Sequence, residues 1–338
     1  MLSRLSRAGG RTPWGWDLLE SLDPKRCAVC VLALRSVDRF FGGLSYESTN
    51  DPEVRQRFVD GGGFCRDHAW RYAEVTNDGL SVALLERHLL TVALRQGGIE
   101  VGHGCMACAQ RAAAEHDLAR ILADELRRVD FRRAIGGAAL CARHAGQAAA
   151  ELRGAAEREI VGACSARAAA SLHAGADGLG GPLTGSLPAR LGPPAATGER
   201  ADRCAVCEAL LEANTEPAAQ AVCNPHTWDR LARGEPAAAG GGPCADCRLE
   251  LALASAHAAG KRCLNHARGD NWRGQAAWLP ELLALLDAYL AKQDYRRLAE
   301  PDGPERTAPW QALYWTVGLT RRTTADRVLP RFGLRPGT

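Results

Sequence analysis

Strict alternation of cysteine pairs with cysteine–histidine pairs constrains this chain more than any other feature. Cys27-Ala-Val-Cys30 is followed by Cys65-Arg-Asp-His68. The pattern recurs as Cys105/Cys108 with Cys141/His144, Cys204/Cys207 with Cys223/His226, and Cys244/Cys247 with Cys263/His266. Of the 13 cysteines only Cys164 stands outside this register. Ligands three residues apart point the same way from a helix's first turn or a knuckle. Three thiolates and one imidazole then complete a tetrahedral shell, the set that suits structural zinc. The blander reading, cysteine as a small buried hydrophobe, fits Cys164 in its alanine-rich surroundings but not a fourfold register. The expected complement is about four zinc ions per chain, with each C-x-x-C paired to the C-x-x-H that follows it. Crossed pairing in the two C-terminal modules (Cys204/Cys207 with Cys263/His266, and Cys223/His226 with Cys244/Cys247) is the competing arrangement. Spacing does not name the metal, so an iron–sulfur cluster or a thiol-redox role for the same residues is the alternative.

Composition removes some function classes. At 338 residues the chain is long enough for two or three compact units. Its formal charge of +3 is carried almost wholly by arginine, with lysine only at 25, 261 and 292. Four filled Cys₃His sites, each worth one net negative charge, bring that to about −1. No dense basic run is present, so nucleic acid is not favoured as a partner. No apolar stretch reaches membrane-spanning length, and the first residues lack a signal-like apolar core, which points to a cytoplasmic protein with reduced thiols.

Periodicity and breakers read as all-α. Helices are expected over 31–41, ended by Gly42-Gly43, and from Pro52 to about Asp60, stopped by Gly61-Gly62-Gly63. Asn77-Asp78 caps a third, with Val82, Leu85, Leu89 and Val92 on one stripe. Leu118, Ile121, Leu122 and Leu126 mark a fourth, a connection spans 130–137, and an alanine-rich helix continues to about His173. Residues 1–174 form an N-terminal helical domain with two metal sites. A Gly/Pro-rich linker over 175–202 follows, then a short metal module at 203–234 and a second breaker at 235–243. Residues 244–320 combine the last short module with C-terminal helices, and 321–338 read as a flexible tail. Three further features weigh little. His103 is a marginal substitute ligand for the second site. Glu115-His116-Asp117 cannot converge as a catalytic set because consecutive helical residues diverge. The tryptophans 272, 278, 310 and 315 suit a core.

The combination of Cys27/Cys30, Asp51-Pro-Glu-Val-Arg55 with Gly63-Phe-Cys65 and His68, and Asp294-Tyr-Arg296 with Trp310 and Gly318 resembles an uncharacterised bacterial family. That group carries C-P-x-C, D-P-E-x-R…G-F-C-x-x-H and D-Y-R…W…G motifs. This chain departs from it in having Ala28-Val29 between the first cysteines and in its long linker. The resemblance implies the helical metal-binding fold and supplies no activity. Together the features point to a zinc-stabilised binding or regulatory protein with a protein partner. An enzyme with an unrecognised site ranks behind the iron–sulfur or redox alternative.

Overall fold

The computed structural model describes residues 10–176, 279–297 and 299–318. Within them the fold is all-α: α1 (Pro13–Glu20), α2 (Ala28–Gly43), α3 (Pro52–Asp60), α4 (Arg66–Thr76), α5 (Gly79–Gln96), α6 (Met106–Glu125), α7 (Val129–Ile135), α8 (Ala142–Glu151), α9 (Ala155–Ala176), α10 (Leu279–Lys292) and α11 (Ala308–Val317). A single parallel bridge between Cys27 and Ala139 is the only β-type pairing among the described residues. The expected C-terminal metal modules, both breakers and the tail lie almost entirely outside the described residues.

The chain divides into two compact units. The described part of the first comprises 10–37 and 110–176. Its core packs Leu18 of α1 and Val29 and Leu32 of α2 with Leu118 and Leu122 of α6 and Leu126 just after it. Phe131 and Ile135 of α7 and Val161 of α9 complete it. Each large side chain fully buried here contributes about 1.5–3 kcal/mol. Leu18 anchors α1, whereas Trp16 stays exposed beneath the Arg11 guanidinium, 4.8 Å from its ring. Arg11 also pairs with Glu125 at 2.7 Å and Asp130 at 2.9 Å, tying the segment before α1 to α6 and α7.

The second unit comprises 38–109 and the described C-terminal residues. Helix α5 is its axis and packs on α3, α10 and α11. It is capped by Asp78, whose side chain accepts from the Leu80 and Ser81 amides, and it ends at Gly97 in the left-handed conformation. Because α5 is covered from several sides, its buried face widens to include Ala83, Glu86, Leu90 and Ala93, while Val92 is only half-buried. The C-terminal helices are fastened by polar bonds as well as by apolar packing. Trp70 Nε1 donates to the Gly318 carbonyl at 2.7 Å, and Thr316 Oγ1 donates to Glu86 Oε2 at 2.6 Å. Gly318 sits at φ 74°, which explains a glycine at that point.

Local expectations fail where packing overrides a breaker. Gly42-Gly43 does not end α2; both stay helical, and the chain continues into a π-helical turn over Leu44–Ser48. A Cβ at either glycine would meet nothing within 4 Å, so no contact forces a turn there. The 130–137 connection contains α7, whose Phe131 and Ile135 are drawn into the core. The expected single alanine-rich helix is two, because Leu152 adopts an extended conformation after Glu151 and buries its side chain. The Arg158 guanidinium then bonds the Leu152 and Arg153 carbonyls at 2.8 and 3.2 Å.

Burial pushes the Glu86 carboxyl up to about 7, offset in part by the Thr316 hydroxyl. A raised carboxyl pKa means the folded state holds its proton more tightly than the unfolded chain. Stability from this group is therefore complete below about pH 4.5 and is lost as pH rises through 7. Glu86→Gln should be more stable than the native protein at pH 8, by something on the order of 3 kcal/mol. The two proteins should converge near pH 5 in urea unfolding.

Candidate metal centres

Two groups of four ligands assemble, each within one unit. The first is Cys27, Cys30, Cys141 and His144, all buried. Cys27 precedes α2 and accepts the Val31 amide at 3.1 Å, so it occupies the cap and Cys30 lies one turn on. Cys141 caps α8 in the same way, accepting the Ala145 amide at 2.9 Å, with His144 in the first turn. Two backbone bonds hold the approach to α8: Ala139 donates to the Asp23 carbonyl at 2.8 Å and Leu140 to the Cys164 carbonyl at 3.3 Å.

The second group is Cys65, His68, Cys105 and Cys108, with Cys65 and Cys108 half-buried. Cys65 caps α4 and Cys105 precedes α6, whose Ala109 amide it receives at 3.2 Å. Two glycine turns bring these caps together. The Gly102 amide donates to the Gly62 carbonyl at 2.7 Å and the Gly104 amide to the Gly61 carbonyl at 2.9 Å. Gly62 and Gly102 have φ of 67° and 68°. A Cβ on Gly102 would come within 2.6 Å of the Cys65 Cα. On the inner side Phe64, next to Cys65, meets Phe41 edge-on at 5.3 Å and Phe58 at 5.0 Å.

The spacing of ligand atoms can be tested against metal chemistry. Metal–sulfur bonds of about 2.3 Å and metal–nitrogen bonds of about 2.1 Å imply tetrahedral edges of about 3.8 Å between sulfurs and about 3.6 Å from sulfur to nitrogen. Cys30 and Cys141 sulfurs lie 3.7 Å apart, as do those of Cys65 and Cys108. His144 Nδ1 lies 3.5, 3.2 and 3.1 Å from Cys27, Cys30 and Cys141. His68 Nδ1 lies 3.2, 3.6 and 3.3 Å from Cys65, Cys105 and Cys108. All four ligand atoms of each group lie within 4.8 Å of one another, and both groups could hold a metal ion. The sulfur separations are far beyond the roughly 2.05 Å of a disulfide, and every described cysteine is a free thiol.

Electrostatics agree with sites built for a cation. Bonds from Cys141 and Cys27, with burial, push the Cys30 thiol up; Cys105, Cys108 and burial do the same to Cys65. Bonds from their neighbouring thiols pull Cys105 and Cys141 down. Burial alone would lower the histidines, but thiolate bonds outweigh it, raising His68 to about 9 and His144 to about 12. Each set thus concentrates negative charge that a divalent ion would meet in place of protons.

The ligand pairing corrects the sequence expectation. Cys27/Cys30 joins Cys141/His144, not Cys65/His68, and Cys105/Cys108 joins Cys65/His68, not Cys141/His144. Helix length supplies the reason. From Cys27 the 16 residues of α2 carry the chain roughly 24 Å away. The 9-residue α3 spans only about 13 Å, so it does not by itself retrace α2 before the tight Gly61–Gly63 turn. Likewise the 20 residues of α6 advance about 30 Å, and the 7-residue α7 does not by itself retrace that.

Other candidates resolve simply. His103 Nδ1 lies 2.9 Å from the Glu100 carbonyl and is not in either group. Cys164 is fully buried, with its Sγ 3.4 Å from the Ile135 carbonyl, as core filler should be. Glu115-His116-Asp117 does diverge: His116 and Asp117 side chains are 69% exposed, Glu115 only 1%. Glu115 reaches the first centre, facing His144 Nε2 at 3.7 Å. Sequence reasoning missed this role, although Glu115 lies on the same side of α6 as Leu118 and Leu122. The eight other expected ligands, Cys204, Cys207, Cys223, His226, Cys244, Cys247, Cys263 and His266, lie outside the described residues.

Comparison with known proteins adds one relative. Over 73 residues, 22% of this chain, it is 40% identical to an uncharacterized 23.9 kDa protein in the xynA 3′ region of Caldicellulosiruptor sp. (strain Rt8B.4). The match spans 35% of that relative's length. No protein-family model matches the chain, and no solved structure does.

The pairing sets a double-mutant test read by metal content. Cys30→Ala with Cys141→Ala should remove one metal, no more than either alone, because both changes fall on one centre. Cys30→Ala with Cys65→Ala should remove two. The reverse pattern would restore local pairing. Gly102→Ala should weaken the second centre selectively, since the left-handed backbone costs about 1–2 kcal/mol before any clash.

Proposed function

We propose that the chain is a zinc-stabilised helical protein that binds or regulates a protein partner, its metal sites being structural. The observation that carries this reading is the tetrahedral spacing of two complete Cys₃His sets at helix caps. Four protein donors fill the zinc shell, where a catalytic zinc keeps one position for water. Thiolate with imidazole in this geometry favours zinc among the common divalent ions. Ligand atoms this close support a single ion over a cluster, because several irons would each take separate ligands and spread them apart.

A structural role also matches what the ligands join. Cys30 and Cys141 are 111 residues apart in the chain, and Cys65 and Cys108 are 43 apart. By analogy with a covalent cross-link, closing loops of these lengths removes about 4–5 kcal/mol of unfolded-state entropy at each centre. The eight ligands at 204–266 repeat the same order, and on this reading they hold two further zinc ions in a cytoplasmic protein. Among the described residues no helix is long and apolar enough to cross a membrane.

Metal analysis of the full chain after aerobic purification should give about four zinc ions and a colourless protein. A brown protein with iron and sulfide would reverse the assignment in favour of the iron–sulfur alternative. Affinity capture should recover a partner with zinc-loaded protein and lose it after chelation. Equal recovery from both would separate partner binding from the metal.

A further inference from the structure

The two centres differ in what stands behind their histidines. His144 turns Nδ1 to the sulfurs, so its far nitrogen, Nε2, must carry the proton when the ring ligates in neutral form. That Nε2 is buried and has no hydrogen-bond partner within normal reach. The Glu115 Oε1 faces it at 3.7 Å, and both side chains are 1% exposed. Glu115 is itself oriented: Arg143 Nη2 meets its Oε2 at 2.6 Å and Arg111 Nε its Oε1 at 3.5 Å. Oε1 thus lies between Arg111 and the ligand imidazole, and it is buried with no hydrogen bond made, so it has capacity for the Nε2 proton. In the second centre no carboxylate pairs with His68 among the described residues, and two of the four ligands are half-buried.

We propose that Glu115 is the positioning carboxylate of the first centre. When the metal is bound it closes the 3.7 Å gap to accept the Nε2 proton of His144, holds the ring with Nδ1 toward the metal, and raises the ring's basicity. The first centre therefore keeps its metal while the second exchanges it first. This rests on the metal reading above. Outer-sphere partners of ligating histidines typically change metal affinity by about 10–100-fold. One centre is thus a permanent fastening and the other a site through which metal supply or chelation acts on the protein.

The test uses the full chain, labelled with ¹⁵N-histidine, loaded with zinc and exposed to EDTA. Each histidine's ring-nitrogen shifts report its own centre. In the native protein the His68 metal-bound signal should disappear before that of His144. Glu115→Gln should speed the loss at His144 by about 10–100-fold, leave His68 unchanged, and move the His144 Nε2 proton resonance upfield. Arg143→Gln removes one of the two arginines that orient the carboxylate but keeps the carboxylate itself, so it should speed release at His144 by less than Glu115→Gln does. The proposal falls if His144 releases first in the native protein, or if Glu115→Gln leaves its rate unchanged. It also falls if Arg143→Gln accelerates release as much as Glu115→Gln, or if both histidines accelerate together. Absence of any metal-bound histidine in the zinc-loaded chain would instead overturn the metal reading itself.

Discussion

The described fold depends on a repeated arrangement: a cysteine at a helix cap with a second ligand one turn later. It occurs before α2, at the start of α4, before α6 and at the start of α8. Free amides and the dipole at a helix start favour thiolate, and thiolate favours the metal. Each group of four therefore brings two helix starts together. Helix α8 shows the need, since its buried residues besides His144 are only Ala145 and Ala148. Alanine removes little area from water, so a helix of this composition gains little from burial. The ligands at its first turn supply the attachment that leucines would supply elsewhere.

The remaining packing follows from where those helix starts are placed. At the second centre the Gly61–Gly63 and Gly102–Gly104 turns lie backbone to backbone, which no side chain at 62 or 102 would permit. Phe64 then points its ring into the Phe41, Phe58 and Tyr72 group. In the same unit α10 and α11 close on α5 through leucine and alanine packing and through the Trp70 and Glu86 bonds. Two different kinds of contact thus serve one unit: a Cys/His group at helix starts that could hold a metal ion, and burial along helix flanks.

Much of this was legible in the residues. The caps Asp51 and Asp78, the stop after Asp60 and the apolar stripes of α5 and α6 are local properties, set within a turn or two of chain. The ligand register was legible for the same reason, because three-residue spacing acts inside one helical turn. Gly42-Gly43 misleads because a glycine permits a left-handed stop without imposing one, and no close approach requires glycine at either position. The short α7 and the split between α8 and α9 are decided by Phe131, Ile135 and Leu152 reaching a core assembled from distant segments.

Sequence alone determined that the described residues are helical and which of their cysteines and histidines form ligand pairs, since both follow from spacing along a single helix. Tertiary structure decided which pairs meet and which carboxylate stands behind one of them. Those outcomes depend on sums of helix lengths and turn directions over 43 to 111 residues. The 16-residue helix after Cys27 carries the chain well away from its start, the 9-residue helix that follows does not by itself retrace it, and the ligands cross.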